Sequence, residues 1–179
     1  MSRRIIPASP LVDEVLDLWR PAIGDDLPGY RGHVYRTLNV CAALAPDVEE
    51  DRIAATAAFH DLGIWPDLHL DYLETSAARA QDWLDRSGRA AWSPEVARAI
   101  ELHHKLLPYR GPHAALVEPF RRADLVDLTR GLWGAGLPRA FLRELFAAVP
   151  DAGFRPRVVR LVLGWAVRHP LQPLPILRW

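Results

Sequence analysis

Apolar residues recur at helical spacing in most stretches between proline and glycine, and this spacing constrains the fold more than any other feature. Leu11, Val15, Leu16 and Trp19 follow it in a first stretch, which we expect to end before Pro21. The sequence has no alternating apolar and polar runs flanked by hairpin turns, so a sheet is not expected. We therefore predict an all-α fold, a globular bundle of about seven or eight helices.

The later helices are placed by the same apolar spacing and by the breakers between them. The segment WPDLHLD is expected to be a loop, and the tail PLQPLPILRW to be extended. A helix start is expected at Ser93, which is followed by proline and an acidic residue. The predicted helices cover about 71–86, 93–105, 114 or later to 131, 138–149 and 155–168.

Charge and cysteine content narrow the classes of function. The 22 basic and 22 acidic residues give a formal net charge of zero, so neither nucleic acid nor an anionic membrane is expected as a partner. The single cysteine, Cys41, cannot form an internal disulfide, which favours a reduced, cytoplasmic setting. No apolar run approaches the roughly 18 residues of a membrane span.

An ordered set of histidines and aspartates lies at the ends or inner faces of different predicted helices. His33 opens the second helix, His60 and Asp61 are adjacent in AAFHDLG, and Asp124 lies in FRRADLVD. The residues before His60 are apolar, and an unpartnered histidine or aspartate would be costly to bury there. Histidine nitrogen and carboxylate oxygen suit several divalent metals, and two of each leave open positions for water and substrate. The pattern therefore predicts a metal site with these four ligands.

This order of residues resembles the H…HD…D signature of the HD-domain metal-dependent phosphohydrolase superfamily. The run HDLG, the LETSAARAQDWL helix and the phrase ADLVD are similar to its elements as well, and the similarity covers roughly residues 30–130. The resemblance implies a single HD domain over 1–179 with its core at 30–130. The helices within 138–169 and the proline-rich tail 170–179 would then complete the packing.

The resemblance also implies an enzyme. The expected activity is metal-dependent hydrolysis of a small phosphorylated compound or nucleotide through a metal-activated water, so the expected partner is an anionic small molecule. The cofactor would be a divalent ion (Mn, Mg, Zn, Fe, Ni or Co), with one ion per chain favoured over two. Three alternatives stay open: an HD-type hydratase, a di-iron oxygenase acting on a small molecule, and a non-catalytic ligand-binding domain. A homodimer stays open too, because the apolar tail could cover a neighbour or a groove.

Histidines and cations near the last predicted ligand are further candidates. His103 and His104 end one predicted helix, where they could hold a second metal or line the active site. The alternative is a histidine pair stabilised by the helix dipole. Lys105, Arg36 and Arg31 are predicted to hold an anionic substrate group.

Three acid or base candidates complete the predicted site. Asp127 lies three residues after Asp124 on the same helix face, where it could orient a ligand or a bound water. Asp67 and His69 follow the His–Asp pair in the region where some HD phosphohydrolases have a catalytic acid or base. A solvated loop is the alternative for both.

Overall fold

Helices make up all of the regular structure in the computed structural model, which describes residues 4–67, 70–172 and 174–177. No strand occurs within those ranges, so the all-α prediction is confirmed. Eight helices there have ten residues or more, and one is a single turn. None of the helices in the described ranges is both long and apolar enough to cross a membrane. The helices are α1 (Pro10–Ile23), α2 (Leu27–Leu44), α3 (Glu50–Phe59), α4 (Ile64–Asp67), α5 (Leu73–Arg86), α6 (Ser93–Leu102), α7 (Ala114–Leu128), α8 (Arg139–Ala148) and α9 (Phe154–Arg168).

Several helix boundaries differ from those expected. The first helix continues past Pro21 to Ile23, because a proline in the last turns removes only one backbone donor. The segment predicted as a loop after the His–Asp pair begins inside the single turn α4. Helix α6 ends at Leu102, so the two histidines that follow lie in a turn rather than in the helix.

Helix α2 is the centre of the fold. It packs against α1, α3, α7, α8 and α9, so its side chains are buried around nearly the whole circumference. Polar residues of this helix are therefore buried with the apolar ones, including His33, Arg36, Thr37 and Asn39. Such groups need partners inside the protein, and those of His33 and Arg36 come from α7 and from the loop between α8 and α9.

The ends of α3 and α6 meet α2 and α7 at one place. Helix α3 packs on α2 and α6, while α7 packs on α2 and α6. Helix α5 covers α6 and α3 from the other side. A histidine, an aspartate or a tyrosine of the site described next lies within each of these helices or directly beside its end.

Candidate metal centre

Four predicted ligands converge on one point. His33 Nε2 lies 2.8 Å from His60 Nε2. The same atom lies 3.4 Å from Asp61 Oδ2 and 3.6 Å from Asp124 Oδ1. His60 Nε2 lies 3.6 Å and 3.9 Å from those two carboxylate oxygens. Nitrogen and oxygen ligands bind a divalent ion at about 2.0–2.2 Å, so ligand atoms of one ion lie roughly 3–4 Å apart. The four distances to carboxylate oxygens fall in that range, and the two Nε2 atoms lie slightly closer.

The end of α3 brings two adjacent side chains to this point. Successive residues of a regular helix point about 100° apart, so neighbours rarely share one ligand. After Phe59 the backbone tightens: Leu62 N donates to Phe59 O at 3.0 Å and Ile64 N donates to Asp61 O at 3.1 Å. The tighter turn lets His60 and Asp61 face the same point, with His60 Nε2 3.6 Å from Asp61 Oδ2.

The hydrogen bonds of the two histidines fix which ring nitrogens carry protons. His33 Nδ1 lies 2.7 Å from Asp127 Oδ2, and His60 Nδ1 lies 2.8 Å from the Ala57 carbonyl oxygen. Both partners are acceptors, so each Nδ1 carries hydrogen and a neutral ring leaves a lone pair on Nε2. The two Nε2 atoms face each other across 2.8 Å. Positive charge must lie between them, either as a proton or as a metal cation, so the residues present fit a metal ion.

The pKa values of these two histidines shift in opposite directions. Burial lowers the pKa of His33, but the hydrogen bonds and charges of Asp127 and Asp61 outweigh burial and raise it from 6.5 to about 9. Burial lowers the pKa of His60 to about 4, and the neighbouring His33 adds to that effect. In the metal-free protein, His33 therefore carries the proton between the rings. A metal ion held by these residues would displace that proton.

His103 and His104 form a second group with Asp61. His103 Nε2 lies 3.3 Å from Asp61 Oδ1, while its Nδ1 lies 2.6 Å from a carbonyl oxygen of α6. This buried Nε2 has no hydrogen-bond partner among the described residues. His104 Nδ1 lies 3.4 Å from Asp124 Oδ2. Asp61 thus offers one oxygen to each group, and the buried cluster could hold a metal ion.

Tyr72 is a site residue that the sequence analysis missed. Its hydroxyl donates to Asp61 Oδ1 at 2.6 Å and lies 3.2 Å from His104 Nε2. Burial and the charge of Asp61 raise the pKa of Tyr72, so the phenol remains a donor. The close approach of α5 places it: a Cβ at Gly63 would lie 2.9 Å from Ser76 Oγ and from Tyr72 Cβ. Gly63, the glycine of HDLG, is the sequence feature that indicates this close packing of α5.

A cavity of about 350 Å³, which we call the site cavity, borders the cluster. His33, Asp61 and Asp124 line it together with Tyr72. Most of the other described lining residues are apolar side chains of α9 and of the segment that follows α9. Arg155 is the one arginine or lysine among them. The C-terminal elements therefore form part of the site as well as the packing.

Asp127 binds His33 and two arginines. Its Oδ1 accepts from Arg36 Nε at 2.5 Å and from Arg155 Nη2 at 3.0 Å. Burial raises the pKa of Asp127, but His33 and Arg36 outweigh burial and hold it well below its usual range. Arg36 also donates to two carbonyl oxygens between α8 and α9. Asp127 therefore orients His33. Arg36, predicted to bind substrate, is fully buried and bonded to protein groups instead.

The remaining predicted site residues do not join the cluster. Arg31 forms an ion pair with Asp13 on α1. Asp67 accepts from an arginine of α5 at 2.5 Å and 2.8 Å. Lys105 is half-buried in the turn after α6. None of these three is among the described residues that line the site cavity, and His69 lies outside the described residues.

The candidate metal centre is thus a buried histidine and aspartate cluster at the meeting point of α2, α7 and the ends of α3 and α6. His33, Asp61, His104 and Asp124 of this cluster line a largely apolar cavity, and the cluster could hold a metal ion. Comparison of the chain with protein-family models, with curated proteins and with solved structures finds no match.

Proposed function

We propose that this chain is a metal-dependent hydrolase that acts on a small phosphorylated compound. The observation that carries the proposal is the pair of facing Nε2 atoms of His33 and His60, held 2.8 Å apart beside two carboxylates. Such a set binds a divalent cation and leaves coordination positions for water and substrate. The resemblance to HD-domain phosphohydrolases supports a phosphoester as the bond that is cleaved.

Each residue of the cluster has a separate role in this proposal. His33, His60, Asp61 and Asp124 would hold the ion. When bound, a divalent ion supplies an acidified water and polarises a phosphoryl oxygen. Tyr72 orients Asp61 through the 2.6 Å hydrogen bond between them. Such partners keep the ligands in position and tune their basicity.

Arg155 supplies positive charge at the wall of the site cavity. One Nη atom binds the side chain of Asp151, and the other binds Asp127 at 3.0 Å. Its buried Nε has no hydrogen-bond partner among the described residues. A guanidinium fixed in this way would stabilise negative charge that develops on a phosphoryl group in the transition state.

The second histidine group supports a second candidate function. Because Asp61 offers its other oxygen to His103, two ions could share this carboxylate. A binuclear centre would suit a di-iron oxygenase as well as a binuclear hydrolase. Metal identity and stoichiometry separate the two, since the oxygenase requires two irons per chain.

A phosphatase assay of a ligand variant tests the proposal. The wild type, loaded with Mn²⁺, is expected to release phosphate from a generic aryl phosphate, and His33→Ala is expected to reduce turnover and metal content to background. His113→Asn is the matched control, because His113 is exposed, lies away from the cluster and has a left-handed backbone conformation that asparagine tolerates. Full activity in a folded His33→Ala variant would overturn the assignment.

A further inference from the structure

Apart from the cluster, Tyr72, Asp127 and Arg155, the described wall of the site cavity is apolar. Val158 and Val162 of α9 line it, as do Leu174 and Ile176 from the segment after α9. The ring of Phe154 stacks on His33, with centroids 4.2 Å apart and an angle of 11° between the planes. A molecule that reaches the cluster therefore contacts hydrocarbon over most of its surface.

Polar groups in this cavity are confined to the cluster and its immediate partners. Among the described lining residues, every polar side chain belongs to the cluster or is Tyr72, Asp127 or Arg155. No further donor or acceptor side chain lines the described wall for sugar hydroxyls or for the edges of a base. Burying a hydroxyl or a base edge without a hydrogen-bond partner costs free energy, so a binding site without such partners discriminates strongly against substrates that carry these groups. The wall therefore favours a substrate whose body is apolar.

The volume of the site cavity limits the size of the apolar part of the substrate. Ligand cavities commonly measure about 300–1,000 Å³, and this one, at about 350 Å³, lies near the lower limit. An apolar cavity of roughly 150 Å³ already holds benzene. A single ring or a short alkyl chain with a phosphoryl group fits this space, whereas a dinucleotide does not.

We propose that the substrate is a phosphomonoester of an apolar alcohol or phenol, a substrate class that rests on the proposed function. The phosphoryl group lies at the ligand cluster beside Arg155, and the hydrocarbon packs on α9 and the segment after it. In the reaction, the oxygen of water forms a bond to phosphorus and the bond from phosphorus to the ester oxygen breaks. A water proton passes to the departing oxygen, so the products are inorganic phosphate and the alcohol.

Binding of alkylphosphonates tests this class without requiring turnover, because their carbon–phosphorus bond replaces the bond that would be hydrolysed. Methyl-, propyl- and pentylphosphonate, with inorganic phosphate as reference, are titrated calorimetrically into the Mn²⁺-loaded protein. The expected affinity rises by about two- to fourfold for each added methylene.

Two variants of α9 test whether the rise in affinity with chain length comes from contacts with the cavity wall. Val162→Asp is expected to abolish the increase with chain length, because Val162 lines the cavity. Val167→Asp is the matched control on the same helix, since Val167 is 82 % exposed and does not line the cavity. Val162→Thr, a milder change, is expected to reduce the increase in part. The metal content of each variant reports whether the cluster is still folded.

The outcomes separate this proposal from the proposed function. Equal affinities for methyl- and pentylphosphonate in the wild type, or a gain that survives in Val162→Asp, would overturn the apolar substrate class alone. Failure of every phosphonate and of phosphate to bind the metal-loaded protein would overturn the proposed function as well.

Discussion

His33 is held through both ring nitrogens, and its contacts explain most of the electrostatics of the cluster. Asp127 Oδ2 accepts a hydrogen bond from Nδ1 at 2.7 Å, while Nε2 faces His60, Asp61 and Asp124. The carboxylate of Asp127 is balanced in turn by Arg36 and Arg155. A single ring therefore connects the ligand set with the buried ion pairs behind it.

Removing the Tyr72 hydroxyl tests how strongly the hydrogen-bond partners of the predicted ligands affect metal affinity. Tyr72→Phe removes the 2.6 Å hydrogen bond to Asp61 without changing the shape of the ring. We expect metal affinity to fall roughly 10- to 100-fold, measured by calorimetric titration with Mn²⁺. Tyr109→Phe is the control, because the Tyr109 hydroxyl donates to the Pro112 carbonyl instead. Equal affinities in both variants would show that Tyr72 does not orient Asp61.

The metal-free protein is expected to lose stability as pH rises above neutrality. The pKa of His33 is about 9 in the native state against 6.5 for an ordinary histidine. A raised native-state pKa gives stability that is fully present below pH 6.5 and is lost as pH rises through about 9. His60, with a pKa of about 4, has the opposite effect on stability. As pH falls from 6.5 to 4, the unfolded chain gains a proton at this residue that the native state does not gain, so the native state loses stability.

Urea unfolding in the presence of a chelator measures this effect. The free energy of unfolding should be lower at pH 9 than at pH 6.5 by up to roughly 3 kcal/mol. Saturation with metal should remove the decrease, because the ion replaces the His33 proton. Equal stability of the chelated protein at the two pH values would contradict the assigned protonation of His33.

At the scale of secondary structure elements, the position of α2 determines whether the site forms. This helix carries His33 and lies close to the loop between α8 and α9, where Arg36 donates to the Pro150 carbonyl oxygen at 2.8 Å. A Cβ at Gly32 would lie 2.6 Å from that oxygen and 3.0 Å from Arg36 Nη1. Close approach of backbone to backbone here requires glycine.

Gly32→Ala is therefore expected to destabilise the protein. The contacting atom is a backbone carbonyl that cannot turn away, so we expect a loss of about 1–3 kcal/mol in the free energy of unfolding. Gly164→Ala on α9 is the control: its Cβ would approach only the Arg168 side chain, at 3.6 Å, and alanine should stabilise that helix by up to about 1 kcal/mol. Thermal unfolding measures both, and a Gly32→Ala variant as stable as the wild type would contradict the packing described.

At the scale of the whole molecule, the sequence predicted the features that depend on local pattern. Helical spacing predicted the all-α bundle. The order of His33, His60, Asp61 and Asp124 predicted side chains that lie close together in the fold. Helix ends are local properties of the chain, so the His–Asp pair could be placed at the end of α3 in advance.

Features that depend on packing between distant elements were not predictable in this way. Arg36 belongs to a helix buried on nearly all sides, and its sequence neighbours do not reveal that its partners are Asp127 and the α8–α9 loop. Arg155 and Tyr72 enter the site only because α9 and α5 pack against it. The apolar cavity likewise arises from C-terminal elements that the sequence indicated only as packing.

Metal content of the purified protein tests whether the histidine and aspartate cluster holds an ion. Protein purified without added metal would be analysed by elemental mass spectrometry, beside the Asp124→Ala variant and a Glu101→Ala control, because Glu101 pairs with Arg98 rather than joining the cluster. We expect one equivalent of a divalent ion in the wild type and in the control, and its loss in Asp124→Ala. Two irons per chain would favour the oxygenase, whereas no bound metal even after reconstitution would contradict the metal centre itself.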